Sequence, residues 1–410
     1  MQNLPPIALR GMRLQQAVAL QEPDRVPFIP TFNNFYQLEY GVSFGDSMRD
    51  PFTLNAAVDD VLDRYEPDLM YMPTTFPCQA MDRAGAIYTR YPGQFHNLPD
   101  STAYQYIDHQ FLQDEDFDAF LKDPNWYLFS KLLPQKYANF MGLGMLNPMA
   151  MGNATIYSLA PFGLPPVQET LKAMLDTGNM VMENLGKCTV MAQHVVERGF
   201  IPFGSAVCMC PFDEYADFIR GIMEACIDCN EEPERLQAAL EICEQHIPAN
   251  IANAKMQHAQ YLFIPLHCGV DNFMSLENYK KFYWPGLKKV IMAAIEAEMT
   301  PVVLCEGKYH TRLEVLRDVP KGKVIYFFED VDLVEAKRVL GDVACIGGGM
   351  PTEYLMMGDK QRVIDHTKRM IDLLAPGGGF IMTNTTALDQ VKTENFQAWK
   401  DTVFEYGKYR

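Results

Sequence analysis

Three short apolar runs between Pro301 and Pro351, each stopping at small or polar residues, restrict the possible folds more than any other stretch of this chain. Val302-Val303-Leu304 stops at Cys305-Glu306-Gly307, Val324 to Phe328 stops at Glu329-Asp330, and Val343-Ala344 runs into Cys345 and the glycines 347 to 349. Amphipathic segments, Thr311 to Arg317 and Leu333 to Leu340, separate them, so the stretch reads strand-helix-strand-helix-strand. In a parallel sheet built this way the C-terminal strand ends share one rim, where loops collect catalytic groups. Cys305 and Cys345 are therefore expected on that rim.

The alternation continues in both directions. Val26 to Thr31, Pro67 to Met72, Ile156 to Ala160, Phe200 to Val207 and Tyr261 to Leu266 precede the central runs and Phe380 to Thr383 follows them, nine strand candidates in all. That is one more than a closed (β/α)8 barrel needs. Helical spacing marks Met12 to Leu20, Thr53 to Tyr65, Gln168 to Arg198, Glu234 to about Ala259, and a closing helix with Phe396, Trp399 and Val403 on one face. Ser275 has the chemistry of an N-cap. From Pro77 to about Asn147 regularity breaks down among aromatics, Pro and Asp, which reads as an inserted cap with its own hairpin and helices. The expectation is an α/β barrel as one domain over residues 1–410, with that cap at about 77–147.

At 410 residues and 48% hydrophobic, the chain can fill a large core. Its formal charge of −17 leaves no basic stripe for nucleic acid. No apolar run approaches the roughly 20 residues of a membrane span, and the first ten residues lack signal-peptide order. A cytoplasmic protein is expected, with no membrane part. Its ten cysteines then read as reduced thiols. Cys226 and Cys229 fall in a helical pattern without a second pair, so they read as core.

The rim residues grouped by this reading are His267 and Cys268, Cys305 and Glu306, and Cys345, with Glu277 opening the helix between the first two pairs. Thiolates and imidazole suit zinc, which needs three protein ligands at an open site. A plainer reading makes Glu277 a helix-dipole partner, His267 a pocket histidine and the cysteines inert core.

Several segments resemble the uroporphyrinogen decarboxylase superfamily: Asp24-Arg25-Val26-Pro27, Phe273-Met274-Ser275-Leu276-Glu277, Glu306-Gly307 with Arg312-Leu313-Glu314, Pro320-Lys321-Gly322-Lys323, and Gly377-Gly378-Gly379-Phe380 with Glu394-Asn395. The resemblance implies a distorted (β/α)8 barrel. It does not imply porphyrin chemistry, because Phe32-Asn33-Asn34-Phe35-Tyr36 stands where the decarboxylases carry an arginine-rich segment. The chain is more similar to the branch of methyltransferases that work with corrinoid proteins. Within it, Glu277, Cys305 and Cys345 resemble the zinc ligands of ether-cleaving O-demethylase components, with Glu in place of an expected Asp and His267 or Glu306 as alternatives for that ligand.

That resemblance implies transfer of methyl from an aryl methyl ether to the cobalt(I) corrinoid of a partner protein, with zinc as Lewis acid on the ether oxygen. Glu306, Tyr309 and His310 are the candidates to protonate or orient the phenolate; His267 and Arg312 are the candidates to bind substrate. The partners implied are the corrinoid protein, a small aromatic ether and a second copy in a homodimer. Two other readings stay open: a zinc-free methyl transfer from methylcorrinoid to tetrahydrofolate, and a non-catalytic partner of the corrinoid protein.

Overall fold

In the computed structural model, which describes residues 4–152 and 155–409, five parallel strands run in order Tyr261–Leu266, Thr300–Lys308, Ile325–Asp330, Cys345–Met350 and Phe380–Asn384. Three more segments complete a ring. Phe28 and Phe32 bridge in parallel to Met382 and Leu388, placing residues 26–32 beside the last strand. The Asp68 amide donates to the Phe28 carbonyl at 2.8 Å, and Met70–Tyr71 pairs in parallel with Pro202–Phe203. Val207 then bridges to Phe263, returning to the first of the five. Eight staves result, as a (β/α)8 barrel requires.

The ninth strand candidate is the one that fails. Residues 156–160 lie in a 3₁₀ segment, Ile156–Gly163, and Ile156 and Tyr157 are exposed. A short apolar run looks the same for a buried strand and for an exposed turn of helix, and Pro161 inside this segment removes the N–H a strand would need.

Alternation within each strand sorts the core. Tyr261, Phe263, Val302, Ile325, Phe327, Cys345 and Ile381 fill the barrel interior, whereas Leu262, Ile264, Val303, Cys305, Tyr326 and Ile346 face the surrounding helices. The closing helix Thr393–Tyr406 buries Phe396, Trp399 and Val403 behind the first stave, with the Trp399 ring edge-on to Phe28 at 4.7 Å. Burying each such phenylalanine contributes about 1.5–3 kcal/mol.

Between the second and third staves the chain leaves the barrel. It forms an antiparallel hairpin, Thr89–Arg90 with Gln105–Tyr106, then short helices, then a 33-residue helix, Pro165–Glu197. Two small apolar clusters hold this excursion together, one around Phe140 and Val167 and one around Cys78 and Tyr91. No helix among the described residues is long and apolar enough to cross a membrane.

Candidate active site at the barrel mouth

Strand register decides which side chains meet at the mouth. Leu266 pairs with Cys305 and Cys305 with Phe328, so the next residues on the three strands, His267, Glu306 and Glu329, follow side by side on the interior face. Between Cys305 and Lys308 the register shifts, and two residues, Glu306 and Gly307, oppose the single Glu329. Such a bulge re-aims side chains and is common beside active sites. Gly307 takes φ +77°, and its N–H donates to Glu329 Oε2 at 2.5 Å. Thr386 Oγ1 donates to Glu329 Oε1 at 2.9 Å, so this carboxylate is held from two sides. Glu306 makes no hydrogen bond to another described residue.

The cavity at this mouth has a volume of about 480 Å³. Glu306 and Glu329 lie on one side of it, Phe32, Tyr71, Phe76, Tyr104 and Phe263 supply rings, and Gln37, Thr75, Asn33 and Asn34 supply polar groups. Burial pushes the Glu306 pKa up, and Glu329, Asp213 and Asp217 add to the rise against the opposing pull of His267. Burial also raises the Tyr71 hydroxyl to about 12, with Glu306 contributing.

His267 has its own support. Asp213 and Asp217, four residues apart, share one face where the helix Pro211–Tyr215 passes into the π-turn Ala216–Arg220. Asp217 Oδ2 lies 2.5 Å from His267 Nδ1. Asp213, fully buried, accepts from the Cys268 amide at 2.8 Å and from the Tyr283 hydroxyl at 2.5 Å. Burial draws the His267 pKa down, but the Asp217 hydrogen bond and the charges of Asp213, Asp217 and Glu306 outweigh it and raise it to about 9. The ring is therefore an imidazolium at neutral pH.

The expected metal triad does not assemble. Cys305 lies in the helix-side core, because the residue before an interior Glu306 must point outward. Cys345 opens its strand, pairs with Ile325 at the level of Val302, and packs into the barrel floor well below Glu306. Glu277 is exposed in the first helical turn after Ser275, whose hydroxyl accepts from the Asn278 amide at 3.1 Å. His267 and Glu306, the alternatives for the third ligand, sit on the interior face away from the Cys305 thiol. Among the described residues no three His, Cys, Asp or Glu side chains converge to hold a metal ion. Zinc does not fit the expected ligands.

Three further expectations change. Arg312 is 1% exposed and donates to the carbonyls of Gly269, Val270 and Met274, so its guanidinium fastens a loop and has no face for a substrate carboxylate. Tyr309 is wholly buried in the helix-side core with Tyr279 and Tyr283. His310 is exposed 4.0 Å from Asp271, outside the cavity lining. Glu306 lines the mouth and His267 stands beside it. Sequence reasoning passed over Asp213, Asp217, Glu329 and Gln37. The signals were present: an i, i+4 acidic pair just after a strand end, and an acidic residue closing the Ile325–Asp330 strand.

The family model for uroporphyrinogen decarboxylase (URO-D) matches residues 200–406. No curated protein sequence matches the chain. Among solved structures, a methyltransferase from Methanosarcina mazei superposes with a TM-score of 0.61 at 13% identity, covering 97% of this chain and 98% of that one. The barrel carries that likeness. With its model spanning the last six staves and the mouth they build, the chain belongs to the uroporphyrinogen decarboxylase family.

Proposed function

We propose that the chain is a methyltransferase, moving a methyl group from a small donor held at the barrel mouth to the cobalt(I) corrinoid of a partner protein. The fold it has in common with the Methanosarcina mazei methyltransferase supports methyl transfer as the reaction class. The observation that carries the reading is Glu306, a carboxyl with a raised pKa in an aromatic-walled cavity. A corrinoid is larger than this cavity, which supports its delivery from outside by the partner.

The aryl methyl ether implied by the sequence resemblance makes a definite demand here. Its C–O bond breaks to a phenolate, a poor leaving group, and with the thiols dispersed a proton must stabilise that oxygen. Glu306, its pKa raised by burial, is the group placed to donate it; His267, charged and adjacent, steadies the carboxylate left behind. General acid catalysis of this kind contributes about 10²–10⁴-fold.

Reduced corrinoid incubated anaerobically with the protein and methoxylated aromatics reports the reaction through its absorbance spectrum. Methylation should occur, and Glu306→Gln should slow it by about 10²-fold or more with ether donors. Full activity in that variant would remove Glu306 from the mechanism. No methylation from any methyl donor would leave a non-catalytic partner role. Dispersal of the thiols also favours a second reading, methyl transfer onto tetrahydrofolate, which needs N5 protonated and no metal. Demethylation of methylcorrinoid that depends on tetrahydrofolate would identify it.

A further inference from the structure

The charge and chemistry of the cavity wall name the donor more narrowly than the reaction class does. The ionisable groups of the lining, its tyrosine hydroxyls aside, are two carboxyls, Glu306 and Glu329; the Gln37 side-chain oxygen, the amides of Asn33 and Asn34 and several hydroxyls are its neutral polar groups. Among the described residues no lysine, arginine or histidine lines it. Gln37 is 7% exposed, and its orientation is determined by its neighbour. Ser47 donates its hydroxyl to the Phe44 carbonyl, so the Gln37 group that meets Ser47 Oγ at 3.2 Å is the amide NH₂. That leaves Oε1 buried at the cavity wall with no hydrogen-bond partner. An orphaned acceptor of this kind keeps its partial negative charge uncompensated unless a ligand meets it.

Aromatic rings form much of the rest of the wall. Phe76 and Tyr104 stack at 4.4 Å between centroids, Tyr71 meets Phe263 edge-on at 5.8 Å, and Phe32 and Phe44 also line it. Ring faces beside carboxylates are what recognise methylated ammonium groups, through cation–π attraction within about 6 Å of a centroid. The charged neighbours behind the wall do not reverse this. His267 carries one positive charge beside Glu306, and Asp213, Asp217 and Glu329 stand around it.

We infer that the mouth takes a cationic methyl donor, a small compound carrying N-methyl groups on a quaternary nitrogen, in preference to a neutral methyl ether. This rests on the methyl-transfer reading for its chemistry, which then balances without metal or acid. The C–N bond breaks with its electron pair left on nitrogen, the methyl carbon bonds to the partner's nucleophile, and a neutral tertiary amine departs needing no proton. The dispersed thiols cease to be a difficulty, because a positively charged nitrogen is already an activated leaving group. Burial raises the Glu306 pKa and an arriving cation lowers it, so binding favours the carboxylate that serves as its counter-ion.

Calorimetric binding to the protein alone, without corrinoid, keeps this inference separate from the activity. Phenyltrimethylammonium and methoxybenzene have similar rings and differ in the group that bears the methyl. The cation should bind at least tenfold more tightly and release a proton on binding, seen as a heat that varies with buffer ionisation. Glu306→Gln should cut the cation's affinity about tenfold and abolish proton release, with a smaller change in methoxybenzene binding. Phe76→Ala, at a side chain 41% exposed and so tolerant of replacement, should weaken the cation selectively. Equal affinities, tighter binding of the ether, or binding of neither would overturn the inference. Cation binding with no methyl transfer would overturn the proposed reaction and leave the binding site standing.

Discussion

One peptide bond separates Cys305 from Glu306, and it separates a core thiol from a mouth carboxylate. Residue type alone marked both as candidates; only the pleat of the Thr300–Lys308 strand tells them apart, and the alternation Val302, Leu304, Glu306 against Val303, Cys305 was readable before any coordinates. The dependence of His267 on Asp217 was not readable, since they stand 50 positions apart. It leads to a prediction with a definite sign. The folded His267 pKa, about 9, lies above its ordinary 6.5, so its contribution to stability is fully present below pH 6.5 and is lost as pH rises through 9. Asp217→Asn removes the main attraction. The imidazole should then titrate nearer 6.5 by NMR, and the stability advantage of wild type over variant should shrink between pH 6.5 and 9. An unchanged titration would mean that Asp217 does not hold the proton there. Arg312 makes the complementary case. Replacing it with Met leaves the carbonyls of Gly269 and Met274 without their Arg312 donors, at about 1–3 kcal/mol for each group left unsatisfied, while Val270 keeps the Phe273 and Met274 amides. Chemical denaturation should register a loss of several kcal/mol, while the folded variant binds methyl donors as wild type does; weakened donor binding without loss of stability would restore Arg312 to the site.

Among elements, the bulge in the Thr300–Lys308 strand matters more than any helix. A regular strand would face Glu306 or Gly307 toward Glu329, one for one; the extra residue instead presents the Glu306 side chain and the Gly307 N–H to the mouth together. Glycine is required there. At φ +77° a side chain is strained, and a Cβ would come within 2.9 Å of Val270 Cγ1. Gly307→Ala should therefore cost about 1–2 kcal/mol from the backbone alone, and more from the contact with Val270. It should also lower methyl-transfer rate beyond what the stability loss explains, because Glu329 loses the geometry of its backbone donor. Denaturation and steady-state rates measured on one preparation separate the two effects; a stable, fully active variant would show that the bulge is incidental. Elements were legible in the sequence where period and punctuation agreed, as in Tyr261–Leu266 and Ile325–Asp330. They were illegible where an apolar run stood without either, as at 156–163.

For the whole molecule, the first stave, residues 26–32, lies between the second and the last, Phe380–Asn384, so the barrel closes between chain segments about 350 residues apart. Asn384 draws that seam together, accepting from the Thr31 amide at 2.8 Å and donating to the Thr31 carbonyl and hydroxyl at 3.0 and 2.8 Å. The seam, the floor and the mouth depend on one continuous pair of cores, and no stave is stable without its neighbours. The excursion between the second and third staves is different in kind, since its own apolar clusters around Phe140 and Cys78 are small and partly exposed. Opening free energy follows buried apolar contact. Amide exchange should accordingly show two tiers. The Gly85 and Ala138 amides, hydrogen-bonded within the excursion, should exchange by local opening well below the global unfolding free energy, and the Ile29 and Met382 amides at the seam only by global unfolding. The mouth draws on both tiers, with Tyr104 from the excursion and Glu306 from the barrel. Donor binding should thus slow exchange at Gly85 and Ala138 more than at Ile29 and Met382. Equal protection of the four amides without donor would make the excursion part of one cooperative unit, and the mouth would then be a rigid cavity in which ligand orders nothing.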